Sequence, residues 1–426
     1  MPHAPPLGAL LRQYSAGSAL TCDPVDQGLL NRGYRLCTTR GRYFLKHHFD
    51  PETAAPEAIA RQHRATQRLA DLGVPVAPPL PAHDGRTVAV IGGHAYALHP
   101  WVDGRHRHGA QLTTAQCARL GALLGVVHAS LERVMPVGRA TPPHRAPSRT
   151  PGAHVEDPHA PGAPVTTGPS ATTNPPVTTG PSATTNPPVT TSPLATINPP
   201  VTTDPLVTTS PPVRTGSGVQ SRPSPRTRTS PSGPARGDAG ADPVVTFAVI
   251  DDLLARVRRH RPADSFDELA RHRLLERRAL LEQHVGRRPP RGGPVGWVHG
   301  DFHPFNLLYR GDAPAAIVDW DRLGVKPRAE EAVRAAAIFF VRPAGTLDLP
   351  KVRAYARAYR RTAGATRSEL AAAVHRVWWE RLNDFWMLRW HYERGDTRAD
   401  PQFPAASALV VWWTREYDAV CDAFAG

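Results

Sequence analysis

Apolar and polar residues alternate from Leu20 to Leu36 and again from Tyr43 to Leu45, around Gly28, Gly33 and Gly41. A period of two broken by glycines predicts three antiparallel strands. A short helix over 7–14 precedes them, and a helical stretch over about 52–71 follows. The run GVPVAPPLP (73–81) predicts an extended connector, because proline disfavours helix in the residue before it. RTVAVIGGHAYALHPWVDG (86–104) predicts a strand, a turn at Gly92-Gly93 and a second strand. Over 113–134 the period changes to three and four, with Leu120, Leu123, Leu124, Val127 and Leu131 on one face of an amphipathic helix.

The pattern then stops. Residues 136–243 are rich in Pro, Thr, Ser and Gly, with a twelve-residue unit running from VTTGPSATTNPP (165–176) to VTTDPLVTTSPP (201–212). These units bring no hydrophobic face to stack, so a solenoid is not expected. A disordered, partly polyproline-II insertion is expected instead. Closing so long a loop costs only about 2.5 kcal/mol more than closing a short one.

Helical periodicity resumes near 246–259 and 265–285, and again over 327–342, 350–363, 367–394 and 404–424. Pro327 and the acids of PRAEEAV suit the start and the N-terminal dipole of their helix. Between these groups lie a strand ending at Trp297-Val298 and two short apolar runs, 307–309 and 316–318, which predict a hairpin. The stretch 367–394 carries Trp378, Trp379, Trp386 and Trp390 beside Glu380 and Asp384. Such a stripe is read as core, and its sharper reading is an acceptor pocket for a cationic amine or a sugar-like alcohol.

The hairpin brings candidate chemistry with it. Asn306 stands five residues after Asp301, and the second apolar run ends in Asp319. A carboxylate that orients an attacking hydroxyl, followed by an amide and a second carboxylate that hold magnesium, is the arrangement phosphoryl transfer needs. The interval is that of the protein-kinase catalytic loop, with Gly300 where that motif has Arg.

HGDFHPFN (299–306) followed by IVDWD (317–321) resembles the aminoglycoside phosphotransferase superfamily, which includes choline, homoserine and similar small-molecule kinases. QGLLNRGYRLCTTRGRYFLKHH (27–48) resembles the opening of the same superfamily, and the likeness extends over roughly 20–134 and 246–424. It implies an α+β, bilobal protein-kinase-like fold. The expected divisions are an antiparallel-sheet N-lobe over 1–99, a hinge and first C-lobe helix over 100–135, the insertion over 136–243, and a mainly helical C-lobe over 244–426.

The resemblance also implies ATP and Mg²⁺ as cofactors and a hydroxyl of a small molecule as acceptor. Asp301 then orients that hydroxyl, Asn306 and Asp319 bind the metal, and Lys46 contacts the α/β-phosphates. Gly28 and Gly33 belong to the turn over the triphosphate, and the Pro100 carbonyl and Val102 N–H meet the adenine. His299 orders the loop and His303 is read as a loop surface residue, while Asp321 is left as either a turn cap or an aid to the metal.

One departure stands out. Kinase-like folds orient the lysine with a helix glutamate. That position falls here near Gln62 or His63, with Glu57 more than a turn earlier. Either Glu57 reaches Lys46 in a shifted register or Gln62 makes a neutral hydrogen bond to it. A catalytically weakened nucleotide-binding module is therefore an alternative reading.

Composition changes the picture little. The chain has 426 residues and a formal charge of +14, with the arginines spread along it. That charge raises a nucleic-acid-binding rival, although nucleotide phosphates are polyanions too, and no specific nucleic-acid partner is expected. Cys22, Cys37, Cys117 and Cys421 are scattered without a C-x-x-C pair, which predicts neither a disulfide framework nor a zinc site. With no signal-peptide pattern at 1–14 and no long apolar run, a cytoplasmic protein without a membrane span is expected.

Overall fold

The computed structural model describes residues 5–25, 32–48, 55–136, 240–290 and 292–426. Gly28 and all but the flanks of the 136–243 insertion lie outside the described residues.

After a short helix α1 (Leu7–Leu11), the first part of the chain is organised by strands β1 (Ala19–Val25), β2 (Arg32–Thr38) and β3 (Gly41–His48), then β4 (Ala89–Ile91) and β5 (His94–Pro100). They form one antiparallel sheet in the order β1-β2-β3-β5-β4. The alternation read from the sequence is the alternation of faces: Leu36, Leu45, Tyr96 and Leu98 pack with Leu10 and Tyr14 into a core of their own. Ile91 pairs with His94 across a two-residue turn in which Gly92 and Gly93 take φ 59° and 80°. A primed hairpin turn needs positive φ at both central positions, hence the glycine pair.

Helix α2 (Pro56–Asp71) crosses between β3 and β4 and buries Ile59, Gln62, His63 and Leu69. Its Ala65 and Leu69 belong to the larger core of the second lobe rather than to the sheet's own core. This helix therefore links the two halves.

The second lobe is mainly helical: α3 (Thr114–Val134), α4 (Pro243–Arg259) and α5 (Ser265–His284), then α6 (Arg328–Phe339), α7 (Leu349–Ala363) and α8 (Arg367–Asn383). Short α9 (Trp386–Arg389), α10 (Phe403–Arg415) and α11 (Tyr417–Ala425) complete it. Local chemistry sets the starts. Thr113 and Gln116 form a capping box on α3, Asp264 and Asp267 one on α5, and Thr366 and Glu369 one on α8.

The predicted single helix over 367–394 is interrupted. Asn383 donates its amide to the Trp379 carbonyl at 2.8 Å and Asp384 accepts from the Trp386 N–H at 3.0 Å, so the backbone leaves the helix and restarts. Asp384 has ψ 128°, and a π-helical turn over Trp390–Arg394 follows α9. Trp378 and Trp379 are core, whereas Trp386 and Trp390 are half-buried with their rings edge-on at 5.2 Å.

Between the helical groups lie strands β6 (Val295–Val298), β7 (Leu307–Arg310), β8 (Ala313–Ile317) and β9 (Gly324–Pro327). The β7–β8 hairpin is the expected one. The β6–β9 ladder was not anticipated: GVKP is short, charged and ends in proline, and its partner lies far back in the chain. That ladder joins Val298 to Gly324, clamping together the two ends of the segment that carries the candidate chemistry. The four cysteines are free, and among the described residues no helix is long and apolar enough to cross a membrane.

Candidate active site

Lys46 enters from β3, where it lies in register with Gly33 on β2 and Ala97 on β5. Its side chain is only 10% exposed, and its Nζ meets Asp319 Oδ1 at 2.6 Å and Asp321 Oδ1 at 2.8 Å. A buried ammonium needs such partners, since desolvation disfavours its charge. Burial by itself lowers the lysine, but the two carboxylates outweigh it and hold the amine above its ordinary value.

The acids differ in setting. Asp319 is 45% exposed and takes a left-handed backbone conformation, φ 59° and ψ 67°, where the strand turns sharply. Asp321 is 11% exposed. Burial works against ionising Asp319, yet Lys46 wins and keeps that carboxyl well below its ordinary range. Asp321 is raised by burial, with the charge of Asp319 adding to it against the pull of Lys46.

The loop after β6 is wired by a buried glutamate. Glu331, in the first turn of α6, accepts from the His299 N–H at 3.3 Å, from the Gly300 N–H, and from His128 Nε2 at 2.6 Å. His299 is fully buried; its Nε2 faces the Val318 carbonyl at 3.0 Å and its Nδ1 accepts from the Asp301 N–H at 3.2 Å. That assigns a neutral imidazole with the proton on Nε2, and burial pushes its pKa down accordingly. Gly300 has φ +86°, and a Cβ there would lie 2.0 Å from the Arg322 carbonyl oxygen. An arginine at this position, as in the protein-kinase loop, cannot fit.

Asn306 donates Nδ2 to the Asp301 main-chain carbonyl at 2.8 Å, and its main-chain carbonyl accepts from the Val318 N–H at 2.9 Å. These bonds tie the loop to the end of the hairpin just before Asp319. Around the Asp301 carboxylate stand His303 Nε2 at 3.6 Å and Arg322 Nε at 3.8 Å. Burial raises Asp301, but the bond to His303 and the charge of Arg322 bring it below its ordinary value. His303 also caps the short turn after it, accepting from the Phe305 N–H at 3.2 Å.

The structure thus brings Lys46 to Asp319, and Asn306 to the backbone of Asp301. Pro100 ends β5 opposite Tyr43, and Val102 follows it half-buried, beyond the Trp101 N–H bonded to the Arg42 carbonyl at 3.1 Å. A Cβ on Gly33 would lie 2.6 Å from the Phe44 ring, so close packing accounts for that glycine. Neither expected stand-in for the helix acid faces Lys46 as supposed. Gln62 gives its Nε2 to the Asp321 carbonyl at 2.8 Å, and Glu57 is exposed in the first turn of α2. His63 bonds Thr87 through Nδ1 at 2.8 Å.

Sequence reasoning missed Glu331, His128 and Arg322. The sequence groups Glu331 with Glu330 as helix-dipole acids, but Glu330 pairs with Arg334 and Arg376. Only the three-dimensional return of α6 beneath the loop separates the two.

The sheet, the helical lobe and the loop between them define a protein-kinase-like phosphotransferase fold. The chain belongs to the phosphotransferase enzyme family, whose sequence model matches residues 21–165 and 231–365. Homoserine kinase of Neisseria meningitidis serogroup B is 31% identical over 118 residues, 28% of this chain and 37% of that protein. Homoserine kinase of Burkholderia ambifaria is 31% identical over 124 residues, 29% and 35% respectively. The aligned part thus spans little more than a third of these relatives.

Among solved structures, aminoglycoside phosphotransferase of Alicyclobacillus acidocaldarius superimposes with a TM-score of 0.50 at 12% identity, covering 99% of this chain and 96% of that one. Spectinomycin phosphotransferase in complex with ADP and spectinomycin gives 0.51 at 11%, covering 100% and 99%. A microcompartment-associated aminopropanol kinase gives 0.50 at 14%, covering 97% of each. At these identities the likeness is one of fold.

Proposed function

We propose that this chain transfers the γ-phosphate of ATP to an alcohol group of a small molecule. The observation that carries the reading is the 2.6 Å contact of Lys46, from the sheet, with Asp319, from the end of the hairpin. It gathers a phosphate-binding cation and the loop carboxylates into one cleft.

Asp301 receives the hydrogen bond of the acceptor hydroxyl and sets its direction. A carboxyl held below its ordinary value stays ionised but is a weak base. That suits a loose transition state, in which positioning matters more than early proton removal. Asn306 and Asp319 fit a hard divalent cation. Asn306 has committed Nδ2 to the Asp301 carbonyl, leaving its amide oxygen to offer, and the Asp319 carboxylate is open to solvent. Mg²⁺ held there would neutralise charge on the phosphate oxygens. Lys46 steadies the non-transferred phosphates, with Gly33 opposite it in the sheet. The Pro100 carbonyl and the Val102 N–H serve the adenine.

Homoserine, aminopropanol and the aminoglycosides, which name the relatives and neighbours, all carry both an amine and a hydroxyl. Amino alcohols are therefore the acceptor class proposed. The test is a screen of amino alcohols, hydroxy amino acids and sugars with γ-labelled ATP and Mg²⁺. Acceptor-dependent transfer is expected, abolished in Asp301→Asn with Mg·ATP binding kept. Asp319→Ala should weaken Mg·ATP binding itself. A wild-type chain that neither binds Mg·ATP nor labels any acceptor would overturn the proposal.

A further inference from the structure

We propose that Asp321 is the residue that orients Lys46 toward the nucleotide, supplying from the turn after the hairpin the carboxylate that α2 does not bring to the lysine. The inference rests on the phosphotransferase reading above and names a positioning residue for it.

Three observations lead here. First, the α2 positions turned toward the cleft, Gln62 and His63, are buried and carry no acid. His63 is a neutral imidazole, pushed down to about 3 by burial and by the charges of His99 and Lys46. Second, the turn that carries Asp321 is held by bonds within the protein. The Asp321 backbone carbonyl accepts from Gln62 Nε2 at 2.8 Å. The turn is also closed by Leu323 N–H on the Trp320 carbonyl at 3.0 Å, with the Trp320 indole on the Ile317 carbonyl at 3.1 Å. Gln62 therefore keeps the α2 position but acts one step removed, on the peptide of the acid rather than on the lysine.

Third, the two carboxylates on Lys46 divide by exposure. Asp319, 45% exposed, faces the cleft and is the one available to a cation, whereas Asp321 is 11% exposed. If Asp319 turns to a metal, a buried ammonium left with no counter-ion would be costly. Asp321 at 2.8 Å can remain its partner. The ion pair of the sheet lysine is thus kept while its donor element has moved from helix to turn.

The experiment is a double-mutant cycle on Lys46→Met and Asp321→Asn, read by calorimetric ATP affinity in EDTA and with Mg²⁺, and by γ-phosphate release to water. Asp321→Asn is expected to lower kcat/KM for ATP on the order of 10²-fold, the scale of a misplaced catalytic group. It should weaken ATP binding in EDTA as well, and leave the Mg²⁺ concentration for half-activation unchanged. Combined with Lys46→Met it should add nothing, because both remove one interaction.

Additive losses, or a loss seen only with Mg²⁺ together with a raised Mg²⁺ requirement, would overturn the assignment; the latter makes Asp321 a metal ligand. Should Asp321→Asn fail to fold, Gln62→Met in the same cycle tests the chain of contacts. A smaller loss, again absent on the Lys46→Met background, supports it, and a loss that persists there counts against it. If the wild-type chain shows neither ATP binding nor phosphate release, the phosphotransferase reading has failed, not this refinement of it.

Discussion

Glu331 offers the sharpest test of how the candidate catalytic loop is held. It is 4% exposed, with Oε1 accepting from the Gly300 N–H and Oε2 from the His299 N–H and His128 Nε2. Glutamine has the same shape but one acceptor and one donor. Turned one way, its NH₂ meets the Gly300 N–H. Turned the other way it meets the His299 N–H, while His128 can adapt by changing tautomer through its bond to Tyr359. Either way one loop amide loses its partner. An unsatisfied buried donor costs about 1–3 kcal/mol, and losing charge assistance on the surviving bonds brings the total to about 2–4 kcal/mol.

That cost falls on the peptide units next to Asp301. Glu331→Gln should therefore shift the urea midpoint by about that free energy at constant m, and lower kcat about 10- to 100-fold with ATP affinity little changed. The pH dependence has a definite sign. Although burial raises Glu331, the bond from His128 and the charges and amide around it hold its carboxyl below its ordinary value. Its contribution is then full above the ordinary glutamate range and is lost as pH falls through the lowered folded value. The glutamine variant lacks that part of the acid slope. A midpoint shift below about 0.5 kcal/mol, the size of an ordinary surface substitution, with unchanged kcat would refute the argument.

Two further outcomes follow from the same packing. Gly300→Ala places a Cβ 2.0 Å from the Arg322 carbonyl oxygen at φ +86°, so turnover should fall sharply with at least about 2 kcal/mol lost in denaturant; wild-type behaviour would show that the loop can slide. His63 and His99 are buried and pushed down to about 3 and about 4, so both are neutral in the fold and protonate on unfolding. Stability is then full above about pH 6.5 and declines as pH falls toward 4, by about 1.4 kcal/mol per pH unit for each histidine. His63→Gln should remove one such increment, and an identical slope in the variant would exclude the assignment.

Much of the architecture was legible because burial imposes a period. The sheet strands, α3 and the hairpin are read from alternation, helical spacing and glycine turns, whereas Asp301, Asn306 and Asp319 are candidates picked out by their intervals. What escaped were features with no local period. Strand β9 is defined by its distant partner β6. The break after Asn383 is set by side chains competing for backbone groups within a run that remains apolar enough for a helix. Glu331 and Glu330 are neighbours of one residue type at a helix start, and their different fates depend on what the fold places above each.

The lysine's partner shows most clearly why such readings fail where they do. Along α2 the positions where a countercharge is expected hold Gln62 and His63, with Glu57 remote. The physical demand is weaker and more general: a buried ammonium needs a carboxylate within about 4 Å, from any element that reaches it. In this fold the turn Trp320–Arg322 already lies against α2 through the Gln62 amide, so an acid placed there meets the demand equally well. Once the turn supplies the charge, α2 is free to supply a neutral donor that positions the turn. Glutamine is the residue with the reach and the amide hydrogen to do so, and an acid at 62 would set its carboxylate against the Asp321 carbonyl it now supports. On the proposal that Asp321 supplies the countercharge, the absent helix glutamate is accounted for without a weakened enzyme, and the Lys46–Asp321 cycle decides between the two readings.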